Sequence, residues 1–366
     1  MRLVVADRGL EPALRRLTGA EAMPGWIRLR YGREPDFFHG LGVEGAFTQA
    51  FACLGDDGQV LGVGTRAVRP AWVGGEPGAV GYLGGLRIAP GARGGSVLAR
   101  GYRFLRQLHG DGRCRFYLTT IVEGNDAALA LLTSRRAGLP HYLDAGRLHG
   151  HVAAPRALAG MRGAASDCLV CGGGDVGPEA LFGLLREAGR RRQFFPILEP
   201  GDLGGPLLRG LSLDDFLVAR SPGGELLGCA ALWDQSGFKQ FTVEGYSPGV
   251  QRALPMLRPL ARIGLGIAPP LPGEELRLLN LAFACLREDD PRVLVALLRA
   301  AGRRASGGDH HGVVFGFHER DPLRPGRVPG FAYASRVFLV CWDEDLPAAR
   351  RALAGERPMH LDVASM

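Results

Sequence analysis

The chain has 366 residues, 46% of them hydrophobic and 22% charged, a globular composition that excludes a largely disordered protein. Its length exceeds one ordinary domain and suggests two. The formal net charge is +7, yet Lys239 is the only lysine, and the arginines are scattered with their densest run at Arg190-Arg191-Arg192. Beside 56 glycines, that scatter reads as compositional bias. It lacks the stripe or patch of a nucleic-acid binder, so no nucleic-acid partner is expected.

No apolar run reaches the length of a membrane span, and the opening "MRLVVADRGLEP" lacks the apolar core of a signal peptide. The cytoplasm is the expected address, with no membrane partner. Most of the cysteines, such as Cys53 and Cys285, lie in apolar strand-like runs, the pattern of buried thiols. Cys168 and Cys171 form a single CxxC with no second pair at a zinc-like spacing, so neither a metal nor a disulfide is expected.

In chain order, "MRLVVAD" predicts a strand and "EPALRRLTGAEAM" a helix. Two strands joined at Asp56-Asp57-Gly58 predict a hairpin. "AVGYLGGLRIAP" is a strand in which Gly84-Gly85 signals a bulge or a close backbone approach. The Gly-rich corner "GARGGS" follows, and then a helix whose Val97, Leu98, Tyr102, Leu105 and Leu108 share one face. "CRFYLTTIV" predicts a strand. "NDAALALLTSRRAG" predicts a helix capped by Asn125 and ended by Gly138, and "GRLHGHVAA" a closing strand.

Residues 155–177 lose periodicity and read as a connection. The order then repeats: a Pro-started helix "PEALFGLLREAGRRR", a hairpin over "DDFLVARSPGGELLGCAALWD", a strand "LRLLNLAFACL", a helix "DPRVLVALLRAAGRR", and strands "HGVVFGFHE" and "FAYASRVFLVCWD". The reading is an internal duplication of an α+β unit. Its parts are domains at 1–155 and 178–346, a linker at 156–177, and a C-terminal tail at 347–366.

A helix start leaves backbone N–H groups unpaired, and glycines let an anion approach them. "ARGGS" therefore suits a diphosphate, although a plain strand-to-helix turn fits as well. The element order, together with "LRIAPGARGGSVLARGYRFL" and "IVEGNDAALALLTSRRAGLPHY", resembles the GCN5-related N-acetyltransferase (GNAT) superfamily in its tandem arrangement. Over 1–153 the resemblance rests on motifs, and in the second half on element order. Arg93 fits the first motif position, whereas Ser96 and Leu98 stand where small motif residues are usual.

The resemblance implies two GNAT-like domains, each a mixed, mostly antiparallel sheet flanked by helices. It implies acetyl-CoA, or another acyl-CoA, as co-substrate. Leu86, Arg87 and Ile88 would pair with the pantetheine arm, Gly94, Gly95, Ser96 and Val97 would hold the diphosphate beside Arg93, and Asn125 would lie near the cofactor. It also implies transfer to an amine by direct attack on the thioester. Glu123, at the end of "TTIVE", is the candidate base, with Glu44, His39 and Asp36 as alternates. The family's usual tyrosine position holds Leu132, and Tyr142 is the candidate acid, with Tyr117 or Tyr82 as substitutes. The expected acceptor is a small amine or amino-acid-like molecule. Two other functions remain open, a non-catalytic ligand-binding or sensor protein and an aminoacyl-tRNA-dependent transferase.

His149 and His151 alternate on one strand without a third ligand, and His310-His311 follow a Gly-rich loop that would leave them exposed. Glu319 and Asp321 echo Glu123 and Asn125. "CLREDDPRV" places acids where a second diphosphate would go, so the second half is expected to complete a cleft and not to hold a second donor.

Overall fold

Alternation in the apolar runs becomes strands, and the 3.6-residue periodicity becomes helices, in a computed structural model that describes residues 1–23, 25–134, 138–163, 166–262 and 269–366. The first half contributes β1 (Arg2–Val5), α1 (Glu11–Thr18), β2 (Ile27–Gly32), β3 (Phe47–Leu54), β4 (Val60–Val73), β5 (Glu76–Ile88), α2 (Val97–His109), β6 (Tyr117–Val122), α3 (Asp126–Leu132) and β7 (His141–Ala153). After α4 (Pro155–Ala159) come β8 (Leu169–Gly172), α5 (Pro178–Gly189), β9 (Phe216–Arg220), β10 (Leu226–Asp234), β11 (Gln240–Tyr246) and α6 (Pro248–Arg262). The chain continues through β12 (Leu278–Leu286), α7 (Pro291–Ala305), β13 (Gly312–His318), β14 (Phe331–Cys341) and α8 (Leu346–Ala354).

Six elements were not anticipated, β2, α4, β8, β11, α6 and α8, the last lying almost wholly in the stretch 347–366 read as a tail. β2 and β11 pair with each other as a separate ribbon, and α6 follows it with Pro255 and Pro259 inside, which mask a helix in the sequence. The stretch 155–177 is not bare: it holds α4 and β8, and Cys171 lies in β8. The helix after Asn125 also ends earlier than Gly138. Thr133 Oγ1 donates to Leu129 O at 2.8 Å and Ser134 Oγ to Leu131 O at 2.7 Å, satisfying the last carbonyls from side chains. The rest of that expected helix, 135–137, lies outside the described residues.

The strands form one sheet in the order β1-β3-β4-β5-β6-β14-β7-β13-β12-β10-β9-β8. Each half is an antiparallel meander that ends in one parallel neighbour, β5 with β6 and β12 with β13. The closing strands are exchanged. β14 pairs with β6, β7 pairs with β13, and the two pair with each other at the centre. Each half's sheet is therefore completed by the other half's last strand.

The fold is the expected one, a mostly antiparallel sheet flanked by helices. The amphipathic face of α2 lies where its periodicity predicts. Tyr102 and Leu105 are buried with Tyr117, Phe338 and Trp342, Leu98 and Leu108 pack against them, and Val97 is buried against Gly62. Truncating Leu105, which is 2% exposed, would cost about 2–5 kcal/mol through lost transfer energy and a residual cavity.

Candidate functional site

The parallel pair β5/β6 is joined only at Gly81–Tyr117 and Tyr82–Leu118, beyond which the strands part. At the split Thr119 Oγ1 donates to Leu83 O at 2.8 Å. On the other side of β5, the register with β4 jumps between Val63 and Thr65, so that Gly85 and Leu86 together oppose Gly64. Gly85 takes φ +60°, which glycine adopts without the penalty a side chain would bring. Gly85 and Leu86, just after Gly84, therefore make a bulge at the mouth of a V, with the exposed Leu86 and Val122 on its two lips.

The strand runs on into the Gly-rich corner. Gly94 turns the chain at φ +77°. The amides of Gly94, Gly95, Ser96 and Val97 have no acceptor among the described residues, and they point from the start of the 13-residue helix α2. Ser96 does not cap the helix; its Oγ accepts from Arg100 Nε at 3.1 Å. Leu98 packs into the core. Arg93 is tied to the neighbouring chain, with Nη2 on the Glu21 carboxylate and Nε donating to Ile88 O at 3.3 Å. Arg87 Nη1 donates to Leu86 O at 3.1 Å.

The two residues read as a catalytic pair are not brought together. Glu123 follows β6, where its Oε1 accepts from Arg147 Nε at 2.7 Å in an exposed pair. Tyr142 aligns through Val340 with Tyr117 at the start of β6, six residues and roughly 20 Å from Glu123 along the ladder. Its phenol is hydrogen-bonded to that of Tyr102, and burial pushes its pKa well up. Asn125 caps α3, accepting from Ala128 N at 3.3 Å. Tyr117 is fully buried against His109, whereas Tyr82 lies at the split, 3.4 Å from Thr120 Oγ1, with its pKa raised by burial to about 12.

The alternates fare differently from one another. Asp36 pairs with Arg8, and His39 Nε2 lies 3.1 Å from Arg209 Nη1. Glu44 is buried beside the bulge. One of its oxygens pairs with the buried Arg33 and the other is 3.4 Å from Thr65 Oγ1. Thr65 in turn is the group that a Cβ on Gly85 would meet, at 3.2 Å. Sequence reasoning named Glu44 but not its partners Arg33 and Thr65. It also passed over Lys239, a buried side chain whose Nζ donates to Ala364 O at 3.0 Å and Met366 O at 2.7 Å. Its being the sole lysine in an arginine-rich chain was the available signal.

The second half repeats the split with a different content. Its register jump places Phe283 and Ala284 opposite Ala230, and Phe283 takes φ +53° where Gly85 takes +60°. Asp362, in the C-terminal segment, fills this split and accepts from Phe283 N at 2.6 Å. Gly316 also faces Val363 across the gap. At the following corner Asp290 caps α7 and Asp289 pairs with Arg192, so carboxylates stand at the helix start.

The histidines make ordinary contacts. His149 Nε2 is 3.2 Å from Arg324 Nη1, and the His151 ring is tilted against Phe315 with its buried Nε2 unpaired among the described residues. His310 and His311 are half-buried rather than exposed, with His310 Nε2 3.1 Å from Asp234 and His311 Nδ1 accepting from Arg277 N. Among the described residues, no three His, Cys, Asp or Glu side chains are placed to share an ion.

The fold that carries this split pair, bulge and open helix start is shared with solved structures of N-acyltransferases. Saccharomyces cerevisiae N-myristoyltransferase with bound myristoyl-CoA matches with a TM-score of 0.57 at 10% identity, over 93% of this chain and 82% of that one. A GCN5-related N-acetyltransferase from Anabaena variabilis matches with a TM-score of 0.50 at 10% identity, over 92% of this chain and 72% of that one. At such identity the likeness establishes the fold. No family model matches the sequence, and no curated protein matches it significantly.

Proposed function

We propose that this protein is an acyl-CoA-dependent N-acyltransferase, with its donor in the β5/β6 split and the diphosphate on the amides of Gly94 to Val97. One observation carries the reading: the bulge at Gly85-Leu86 is followed, after a short 3-10 turn at Pro90–Ala92, by four unpartnered amides at a helix start. The neighbour that holds myristoyl-CoA and the neighbour named as an N-acetyltransferase share this fold, which supports the donor class. Leu86, Arg87 and Ile88 line the pantetheine side of the split.

An amine attacking a thioester needs an oxyanion donor, a proton acceptor and an acid for the departing thiolate. The Gly85 amide is the donor. Its counterpart in the second half, Phe283 N, delivers its hydrogen to a carboxylate oxygen, which supports the same direction here. Thr65 takes the amine proton as its own hydroxyl proton passes to the Glu44 carboxylate, in place of Glu123, which orients the acceptor at the mouth together with Arg147. Tyr82 keeps its proton to about pH 12 and gives it to the thiolate in place of Tyr142.

The finer reading is acetyl transfer to a small amine or amino-acid-like acceptor, in the cytoplasm, by two tandem GNAT-like domains with boundaries at 1–155 and 178–346. Leu132 in the tyrosine position and the Tyr102–Tyr142 pairing favour a second reading, a non-catalytic acyl-CoA-binding protein. Calorimetry with acetyl-CoA and myristoyl-CoA, beside a Gly95→Glu variant, tests the donor site. Absence of binding by the parent protein removes both readings. A thiol-release screen over amines and amino acids separates them, since only the enzyme turns over.

A further inference from the structure

At the end of the sheet away from the split lies a second cavity, of about 500 Å³, that the acyl-transfer reading does not use. It opens between the β4–β5 hairpin tip, the loop before β6, and α8. Pro77, Phe116 and Ala352 give it an apolar wall, and four arginines, Arg113, Arg115, Arg351 and Arg357, are among its lining residues. No carboxylate lines it among the described residues.

The four arginines are not equivalent. Arg115 Nε pairs with Asp345 at 2.9 Å, and Arg113 pairs with Asp111 at 3.2 Å while lying over the Phe47 ring. Asp111 is shared with Arg66, so it does not neutralise Arg113 alone, whereas Asp345 offsets the charge of Arg115 and also contacts His109. Arg351 and Arg357 have no hydrogen bond or ion pair among the described residues. Packing holds the Arg357 guanidinium against the hairpin tip, where a Cβ on Gly75 would come within 2.5 Å of its Nη2. The two unpaired cations Arg351 and Arg357 make a local positive field, which an anion would relieve.

We infer that this cavity is a binding site for an amphipathic carboxylate, a small molecule with an anionic head and a hydrocarbon portion of several carbons. The head would engage Arg351 and Arg357, whose planar forks match a carboxylate. The hydrocarbon would lie along Pro77, Phe116 and Ala352. The volume lies in the ordinary range of small-molecule sites, roughly 300–1,000 Å³, and far exceeds what a lone phosphate needs. The inference stands on charge, shape and free guanidiniums and does not depend on acyl transfer.

Octanoate is the probe, titrated calorimetrically into the full chain, with inorganic phosphate and octanol as separate arms. The expected result is one saturable site for octanoate and none for phosphate or octanol. The Arg351→Ala/Arg357→Ala double variant, which breaks no bond, should weaken octanoate by about tenfold or more while its melting temperature stays near the parent's. Should that variant fail to fold, Ala352→Phe, which fills the cavity from α8 and keeps the charges, must abolish binding instead. Absence of saturable binding overturns the proposal. So does binding that both variants leave intact, or phosphate binding as tightly as octanoate.

Discussion

The backbone amide of Phe283 donates to the Asp362 carboxylate at 2.6 Å, at the position that corresponds in the first half to Gly85. The two positions agree in bulge, in positive φ and in distance from the last parallel pair. What differs is the occupant. The second split is filled by the chain's own residues, so one chain is expected to bind one acyl-CoA, read as the calorimetric stoichiometry. Asp362 also accepts from Ala364 N at 3.0 Å. Asp362→Ala leaves buried amides without a partner and should lower unfolding free energy by about 1–3 kcal/mol in a denaturant titration.

The comparison also sets the expectation for Gly85→Ala. A phenylalanine stands at φ +53° in the second half, so the fold accommodates a side chain at this bulge. Thr65 is 3.2 Å from the new Cβ, and with the φ penalty the cost should be about 1–2 kcal/mol. The methyl group would crowd the proposed oxyanion position. Acyl transfer should fall by about 10²-fold, a loss typical of a missing oxyanion donor. Thiol-release kinetics beside thermal melts check the two effects separately. Full activity in a folded variant would remove Gly85 from that role.

The elements legible in the sequence were those whose periodicity agrees with their neighbours. The α2 face, the Asp56-Asp57-Gly58 hairpin and the order of the duplicated strands all read through. The bulge was legible because a glycine pair interrupts an apolar strand. The exchange of β7 and β14 was not, because a strand's side-chain pattern states which faces are buried but not which neighbour pairs with it. The ribbon of β2 and β11 joins residues more than 200 positions apart, for the same reason beyond reach. In the site, Glu123 stood out by its place after a strand, whereas Glu44 ends a short 3-10 helix, His39–Glu44, whose burial only tertiary packing decides.

The two glutamates therefore make a discriminating pair of variants. Glu44 and Arg33 are 2% and 4% exposed, so Glu44→Gln strips a buried cation of its counter-charge and should cost about 3–5 kcal/mol. Glu123 and Arg147 are 42% and 53% exposed, and Glu123→Gln should cost under about 1 kcal/mol. Chemical denaturation measures both. With the Thr65–Glu44 assignment, Thr65→Val, which keeps the ion pair, should depress turnover more than Glu123→Gln does. The reverse order would return the proton to Glu123.

Lys239 gives the pH dependence. Burial pulls its ammonium down to about 8 from the ordinary 10.5, with Arg33 also opposing the charge and Glu44 and Asp362 favouring it. A folded-state pKa below the unfolded one means that the unfolded chain holds more protons between about pH 8 and 10.5. The penalty for burying the charge is therefore fully present below pH 8 and fades as pH rises through that window, by an amount of roughly 3 kcal/mol. Because Lys239 is the only lysine, lysine labelled with ¹³C and ¹⁵N gives a single side-chain signal to titrate. A midpoint near 8 is expected, and one above 10 would contradict the burial. In Lys239→Met the carbonyls of Ala364 and Met366 lose their donor at every pH. Its stability offset from the parent should consequently grow between pH 8 and 10.5, as the parent alone gains from losing the buried charge.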